Sequence, residues 1–334
     1  MFKNRFARLC AVVATLLFFA SIAFSTHGKD SLAGENSTSI TQQPIQKLTI
    51  AKSAILGVVE GLTEYLPVSS TGHLIITGYF MGLVHYSDKS GPLGKVLDKD
   101  RMEAINSFDI VIQLGAILAV VGLYRNRIGQ MCAGLAGKDM QGLKLFLLLT
   151  IAFLPAAIVG LAMHKKIEAN LFGPVPVAWA LAVGGVLMIV MEFVYRRQKF
   201  AKARVDSLDM ITYWQAFIIG LAQVLAMWPG TSRSMITILA ALLVGINMLA
   251  AAEFSFLLAL PTLTGATVIS AAQDWRVLNQ VVGIDGMLVG LVVSGVVAAL
   301  AIKWFIKWLT KHGLTPFGIY RIAAAIFLLW LLAF

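Results

Sequence analysis

From Leu48 onward the chain alternates long apolar runs with short polar connectors. Six of the runs, roughly 104–124, 143–163, 175–195, 249–271, 284–306 and 316–333, reach the ~20 residues that a helix needs to cross a bilayer. Two further apolar stretches, 48–84 and 211–247, are broken midway at Pro67 and Pro229. The spacing predicts a pair of half-length helices in each stretch. Such a pair reads as a re-entrant hairpin, since non-helical backbone at membrane depth is tolerated where it lines a protein cavity. The expected fold is an all-α polytopic membrane protein with about six transmembrane helices and two broken-helix hairpins.

Ahead of this region, residues 1–25 combine a basic start (Lys3, Arg5, Arg8), an apolar run and the small residues Ser21, Ala23 and Ser25. That is the layout of a secretory signal peptide, cleaved or kept as an anchor. Residues 26–47 are polar, lack apolar periodicity and read as a flexible exported linker. An integral membrane domain is left at 48–334.

Composition agrees. At 58% hydrophobic and 13% charged, with a mean hydropathy of +0.81, the chain has too little polar surface for a soluble domain. The net charge of +10 raises the question of nucleic acid, but the basic residues sit in short loops between apolar runs, where the positive-inside rule places them. Nucleic-acid binding is therefore not expected. Cys10 and Cys132, the latter expected in a loop, have no spacing that suggests a metal site or a disulfide framework.

Charge also orients the chain. Arg125, Arg127, Lys138 and Lys144 in one loop, and Arg196, Arg197, Lys199, Lys202 and Arg204 in another, mark the cytoplasmic side, whereas the 85–103 loop is balanced and suits the outer side. The first hairpin then enters from outside and the second from inside. The two are expected to be an inverted repeat whose breaks meet near the bilayer midplane, where such architectures bind their ligands.

The polar residues at the breaks suggest what is bound. Each second half-helix opens on hydroxyl residues, Ser69, Ser70 and Thr71 or Thr231 and Ser232, and aims unpaired N–H groups and a positive dipole end at the centre. These hydroxyls could equally serve as helix caps. Arg233 adds a fork suited to phosphate or carboxylate, so an anion, most naturally phosphate, is implied. Glu60 and Glu64 lie four residues apart on one helix face and repel unless a divalent cation or a shared proton holds them. Oxygen ligands suit Mg2+ or Ca2+. Gln223 and Met227 take the matching positions of the second copy. His73, three residues after Ser70, is a candidate nucleophile or proton carrier, and Ser70, activated by His73 or Glu64, is its rival. His27, His85, His164 and His312 fall in the linker or in predicted loops and take no role.

Glu60-Gly-Leu-Thr-Glu64, Pro67-Val-Ser-Ser-Thr-Gly-His73 and Pro229-Gly-Thr-Ser-Arg-Ser234 with Thr237 resemble the motifs of the bacterial undecaprenyl-diphosphate phosphatases, the BacA/UppP family linked to bacitracin resistance. The resemblance runs from about Leu48 to the C-terminus. It implies hydrolysis of a C55 polyprenyl diphosphate to the monophosphate and inorganic phosphate, which recycles the carrier lipid of peptidoglycan synthesis in the bacterial inner membrane. It further implies that Glu60 and Glu64 serve metal binding and acid–base work and that Ser70 or His73 is the nucleophile. Arg233 with Ser232, Ser234 and Thr237 would hold the diphosphate, and Ser69 and Thr71, among the hydroxyls at the first break, are further candidates to bind it. Residues 1–47 depart from the family core. The outward-opening first hairpin predicts a site accessible from the periplasm. Oligomeric state is left open.

Two rivals are weighed. An inverted-repeat transporter or flippase of an anionic lipid would share the broken helices, but needs only cations at its site and not a base and a nucleophile. The other membrane phosphatase superfamily pairs Ser-Arg with a histidine at fixed spacing, and Leu239 stands where that histidine would fall.

Overall fold

The computed structural model describes residues 48–83, 86–87, 95–96, 99–171, 173–197 and 205–333. The expected signal segment 1–25 and linker 26–47 lie outside the described residues, and so does part of the basic 196–204 loop.

The architecture is helical. It runs α1 (Ile50–Thr63), α2 (Ser70–Phe80), α3 (Lys99–Leu123), α4 (Arg125–Leu135), α5 (Met140–Leu171), α6 (Pro174–Arg197), α7 (Tyr213–Gln223), α8 (Arg233–Leu243), α9 (Met248–Val281), α10 (Gly283–His312) and α11 (Thr315–Ala333). A two-residue antiparallel ladder, Tyr86–Ser87 with Lys95–Val96, and an isolated parallel bridge between Val205 and Ile246 are the only strand pairings among the described residues. Five helices are long and apolar enough to cross a membrane, and α3 with α4, bent by 80° at Tyr124, forms a sixth candidate. The six apolar runs of the sequence are thus all helices, and the chain is a multi-pass membrane protein.

Apolar side chains cover the outside as well as the inside. Leu161 is 81% exposed and Leu300 64% exposed, an arrangement that water would penalise and acyl chains do not. Helix contact in such an environment relies on close approach at small residues. A Cβ at Gly57 would meet the Gly290 carbonyl of α10 at 2.5 Å, and one at Gly220 would meet the Ala152 carbonyl of α5 at 2.5 Å. Each leading half-helix is therefore seated directly on the backbone of a long helix.

The two broken stretches form as expected. At about 1.5 Å per residue, the 14 residues of α1 and the 11 of α2, α7 and α8 are each too short to cross ~30 Å of hydrocarbon. A 3-10 turn, Val224–Met227, follows α7. Ser69 (φ 73°, ψ 106°) and Ser232 (φ 71°, ψ 111°) are the only non-glycine residues with positive φ among the described residues. The same separation (232 − 69 = 163) relates Glu60 to Gln223 and Gly57 to Gly220. The two breaks therefore share a backbone conformation that costs an L-residue free energy and persists only where its surroundings enforce it.

Several local expectations are corrected. The 125–142 loop is largely the helix α4, which holds the exposed Cys132. His164 lies within α5 and His312 ends α10, where it stacks on Trp308 at 4.1 Å. A four-residue spacing on one side of a turn is enough for that stacking, and loop composition does not reveal it.

Candidate active site

Both breaks converge on one polar centre. Thr63 and Glu64 end α1, and the chain passes through Tyr65 to Val68 before Ser69 caps α2 by accepting from the Gly72 amide at 3.5 Å. In the second copy Ser232 caps α8 by accepting from the Met235 amide at 3.3 Å. The cap reading therefore holds for Ser69 and Ser232. The same turns aim the first amides of α2 and α8 at the centre.

Glu64 joins the two breaks. Its Oε1 meets Arg233 Nη2 at 3.1 Å, and its Oε2 accepts from the Ser70 hydroxyl at 2.8 Å. The ionised pair is nearly enclosed, with side-chain exposures of 7% and 10%, so it is little screened. Arg233 Nη1 donates to the Ser255 carbonyl at 2.9 Å, its guanidinium lies over the Tyr65 ring, and its buried Nε has no partner. The second break is tied back to the first through Ser234, whose hydroxyl donates to the Leu66 carbonyl at 2.9 Å and lies 3.0 Å from Ser232 Oγ. Thr237 bonds the Arg233 and Ser234 carbonyls and meets Ser255 Oγ at 2.6 Å. Ser234 and Thr237 thus hold the start of α8 in place and are themselves buried.

A cavity of about 150 Å3 opens between the breaks, lined among others by Glu64, Ser69, Ser70, Thr71, Ser232 and Arg233. Most of the residues singled out in the sequence meet there. His73 does not line it. The Ser69 carbonyl, 2.7 Å from His73 Nδ1, can only accept, so Nδ1–H donates and Nε2 accepts from the Tyr320 hydroxyl at 2.6 Å. The two rings also stack.

Glu60 is fully buried, and neither carboxylate oxygen has a hydrogen-bond partner. It lies within electrostatic reach of Glu64, Asp109 and Arg233. Among the described residues no three acidic, histidine or cysteine side chains converge to hold an ion by themselves. An oxygen pair without donors has the chemistry of a hard-cation ligand, although Glu60 is not among the residues that line the cavity.

Four residues escaped the sequence reading. Gln113 of α3 lines the cavity, Ser255 of α9 supports Arg233 and Thr237, and Tyr320 and Arg321 of α11 reach the two breaks from the last helix. Arg321 had a usable signal, because an arginine inside an apolar span is costly and so has a function by default. Gln113 carried a weaker form of the same signal.

Comparison with known proteins agrees with this geometry. Residues 53–327 match the family model described as bacitracin resistance protein BacA. An undecaprenyl-diphosphatase of Sorangium cellulosum is 49% identical over 280 residues, covering 84% of this chain and 85% of its own. Undecaprenyl-diphosphatase 1 of Burkholderia ambifaria is 42% identical over 283 residues (84% and 95%), and the undecaprenyl-diphosphatase of Thermoanaerobacter sp. X514 is 39% identical over 284 (85% and 97%). With the match spanning both breaks and all the long helices, the chain belongs to the BacA bacitracin-resistance family.

Proposed function

We propose that the chain hydrolyses undecaprenyl diphosphate to the monophosphate and inorganic phosphate in the bacterial inner membrane, thereby recycling the lipid carrier and conferring bacitracin resistance. The observation that carries this reading is the Glu64 carboxylate, held between Ser70 and Arg233 on the wall of one cavity. A carrier of anionic lipid has no use for a hydroxyl hydrogen-bonded to a carboxylate beside its cation. A phosphatase that attacks with a hydroxyl needs a base placed in this way.

In the reaction we assign, the diphosphate lies between the breaks, with its terminal phosphoryl group against Arg233 and the N-terminal amides of α2 and α8. Ser70 Oγ attacks the terminal phosphorus and gives its proton to Glu64. Glu64 passes that proton to the bridging oxygen as its bond to phosphorus breaks, and the lipid monophosphate leaves. Water then attacks the seryl phosphate, Glu64 takes a proton from it and returns that proton to Ser70 Oγ as the P–O bond breaks, and inorganic phosphate is released. Ser232 and Thr71 bind phosphoryl oxygens, and Ser69, Ser234 and Thr237 keep the amides and Arg233 aimed. His73, with both ring nitrogens engaged, orients the Ser69 turn and is not the nucleophile. Glu60, together with Glu64, would hold Mg2+ or Ca2+, which supplies charge neutralisation at the diphosphate.

The loop charges and the shared break conformation support an inverted repeat with the cavity open to the periplasm. Phosphate release from undecaprenyl diphosphate by the detergent-purified protein, with and without Mg2+ or Ca2+, beside Ser70→Ala and Arg233→Ala, tests the chemistry. Metal-dependent release lost in both variants is expected. Bound lipid with no release by folded wild type would sink it. For sidedness, Thr71→Cys should react with impermeant thiol reagents from the periplasm, and reaction from the cytoplasm alone would reverse the orientation.

A further inference from the structure

Arg321 stands within the last apolar helix, is fully buried, and does not itself line the cavity, although its partner Gly230 does. Its guanidinium nonetheless donates to backbone carbonyls from three separate segments. Nη1 donates to Pro67 in the first break at 3.2 Å, and Nη2 to Gly230 and Thr231 in the second break at 3.0 and 3.1 Å. Nη2 also reaches Ala180, and Nε reaches Leu181, both in α6, at 3.0 and 3.3 Å. The neighbouring Tyr320 holds His73, which in turn holds the Ser69 carbonyl.

These carbonyls need a donor for a specific reason. Breaking a helix frees backbone acceptors, and in hydrocarbon there is no water to satisfy them. One planar group with five donors can serve both breaks at once, which a lysine ammonium with three donors at a single point cannot. The geometry has been given room, since a Cβ at Gly184 of α6 would collide with the guanidinium.

We infer that Arg321 is a positioning residue: from α11 it locks the two breaks to each other and so sets the nucleophile of one copy against the phosphate clamp of the other. Ser70 lies three residues beyond Pro67, and Arg233 two beyond Thr231, so a shift of either carbonyl is passed directly to the reacting groups. This rests on the phosphatase reading above. Arg321 itself makes no contact with substrate.

The test compares Arg321→Lys and Gly184→Ala with wild type in lipid nanodiscs, by phosphate release from undecaprenyl diphosphate and by amide hydrogen exchange. Gly184→Ala leaves the guanidinium in place chemically but displaces it, so it carries the test if Arg321→Lys fails to fold. The expected result is a fall in kcat of about 100-fold, the scale of a ~1 Å misplacement of reacting groups, with KM changed far less because every residue that lines the cavity keeps its identity. Exchange should accelerate at both 67–72 and 230–236 while the long helices stay protected. Unchanged kcat, or faster exchange at one break alone, would overturn the coupling. Absence of phosphate release by wild type would instead refute the phosphatase reading, and the exchange comparison would still decide whether Arg321 joins the breaks.

Discussion

The Glu64–Arg233 pair gives the sharpest test of the idea that two distant motifs form one centre. The partners are 169 residues apart in sequence and 3.1 Å apart in space, nearly sealed from solvent. Removing one member of a buried pair leaves an uncompensated charge and costs about 3–5 kcal/mol, whereas removing both leaves none. Arg233→Met and Glu64→Gln should each destabilise strongly, and the double variant should lose much less than the sum. The remaining Ser255 and Ser70 contacts dilute the pairwise share, so we expect a coupling of about 2 kcal/mol, within the range for contacting residues. That is a factor of roughly 30 in the unfolding equilibrium. Reversible unfolding in mixed micelles of mild detergent and dodecyl sulfate, followed by tryptophan fluorescence, measures all four corners of the cycle. All three variants should be inactive, so stability and activity are read separately. Additivity of the single effects within about 0.5 kcal/mol would mean that the two charges do not stabilise each other, and the joined site would have to be abandoned.

Three further outcomes follow from the same geometry. Ser69→Gly should be near neutral or slightly stabilising, since glycine relieves the positive-φ strain and is a fair cap, while Ser69→Ala loses the cap with the strain unrelieved and should cost about 1 kcal/mol; equal stability of the two variants in the micelle assay would contradict this. Gly220→Val forces a side chain into the Ala152 carbonyl and should destabilise by about 1–3 kcal/mol, whereas Gly265→Ala in α9, where nothing lies within 4 Å, should stabilise by about 0.5–1 kcal/mol. Glu60→Gln should weaken Mn2+ binding, read by electron paramagnetic resonance as a Mg2+ surrogate, at least about tenfold; unchanged binding would remove Glu60 from the metal site.

The spans, the two breaks and most of the cavity residues were legible in the chain because their signals are local. Hydropathy over ~20 residues, a proline inside an apolar run, and Ser or Thr after it report on neighbours within a few turns. The same locality explains the misplaced 125–142 segment. Charge made it read as a connector, and only packing of α4 on α5 shows it to be helical, with Gly142 and Gly134 allowing their backbones into contact. Asymmetry between the copies, Glu60 and Glu64 against Gln223 and Met227, was likewise visible as residue identity alone.

The sequence by itself therefore determined a multi-pass helical protein with two broken apolar stretches, acidic and hydroxyl groups at one and an arginine at the other. Tertiary structure alone decided that Glu64 takes both Ser70 and Arg233, that His73 turns to Tyr320 instead of the cavity, that Gln113 lines it, and that Arg321 spans both breaks across 254 residues. The reason is that a hydrogen bond depends on angstrom distances between groups brought together by helix packing, and no periodicity along the chain encodes which distant carbonyl or carboxylate will arrive there.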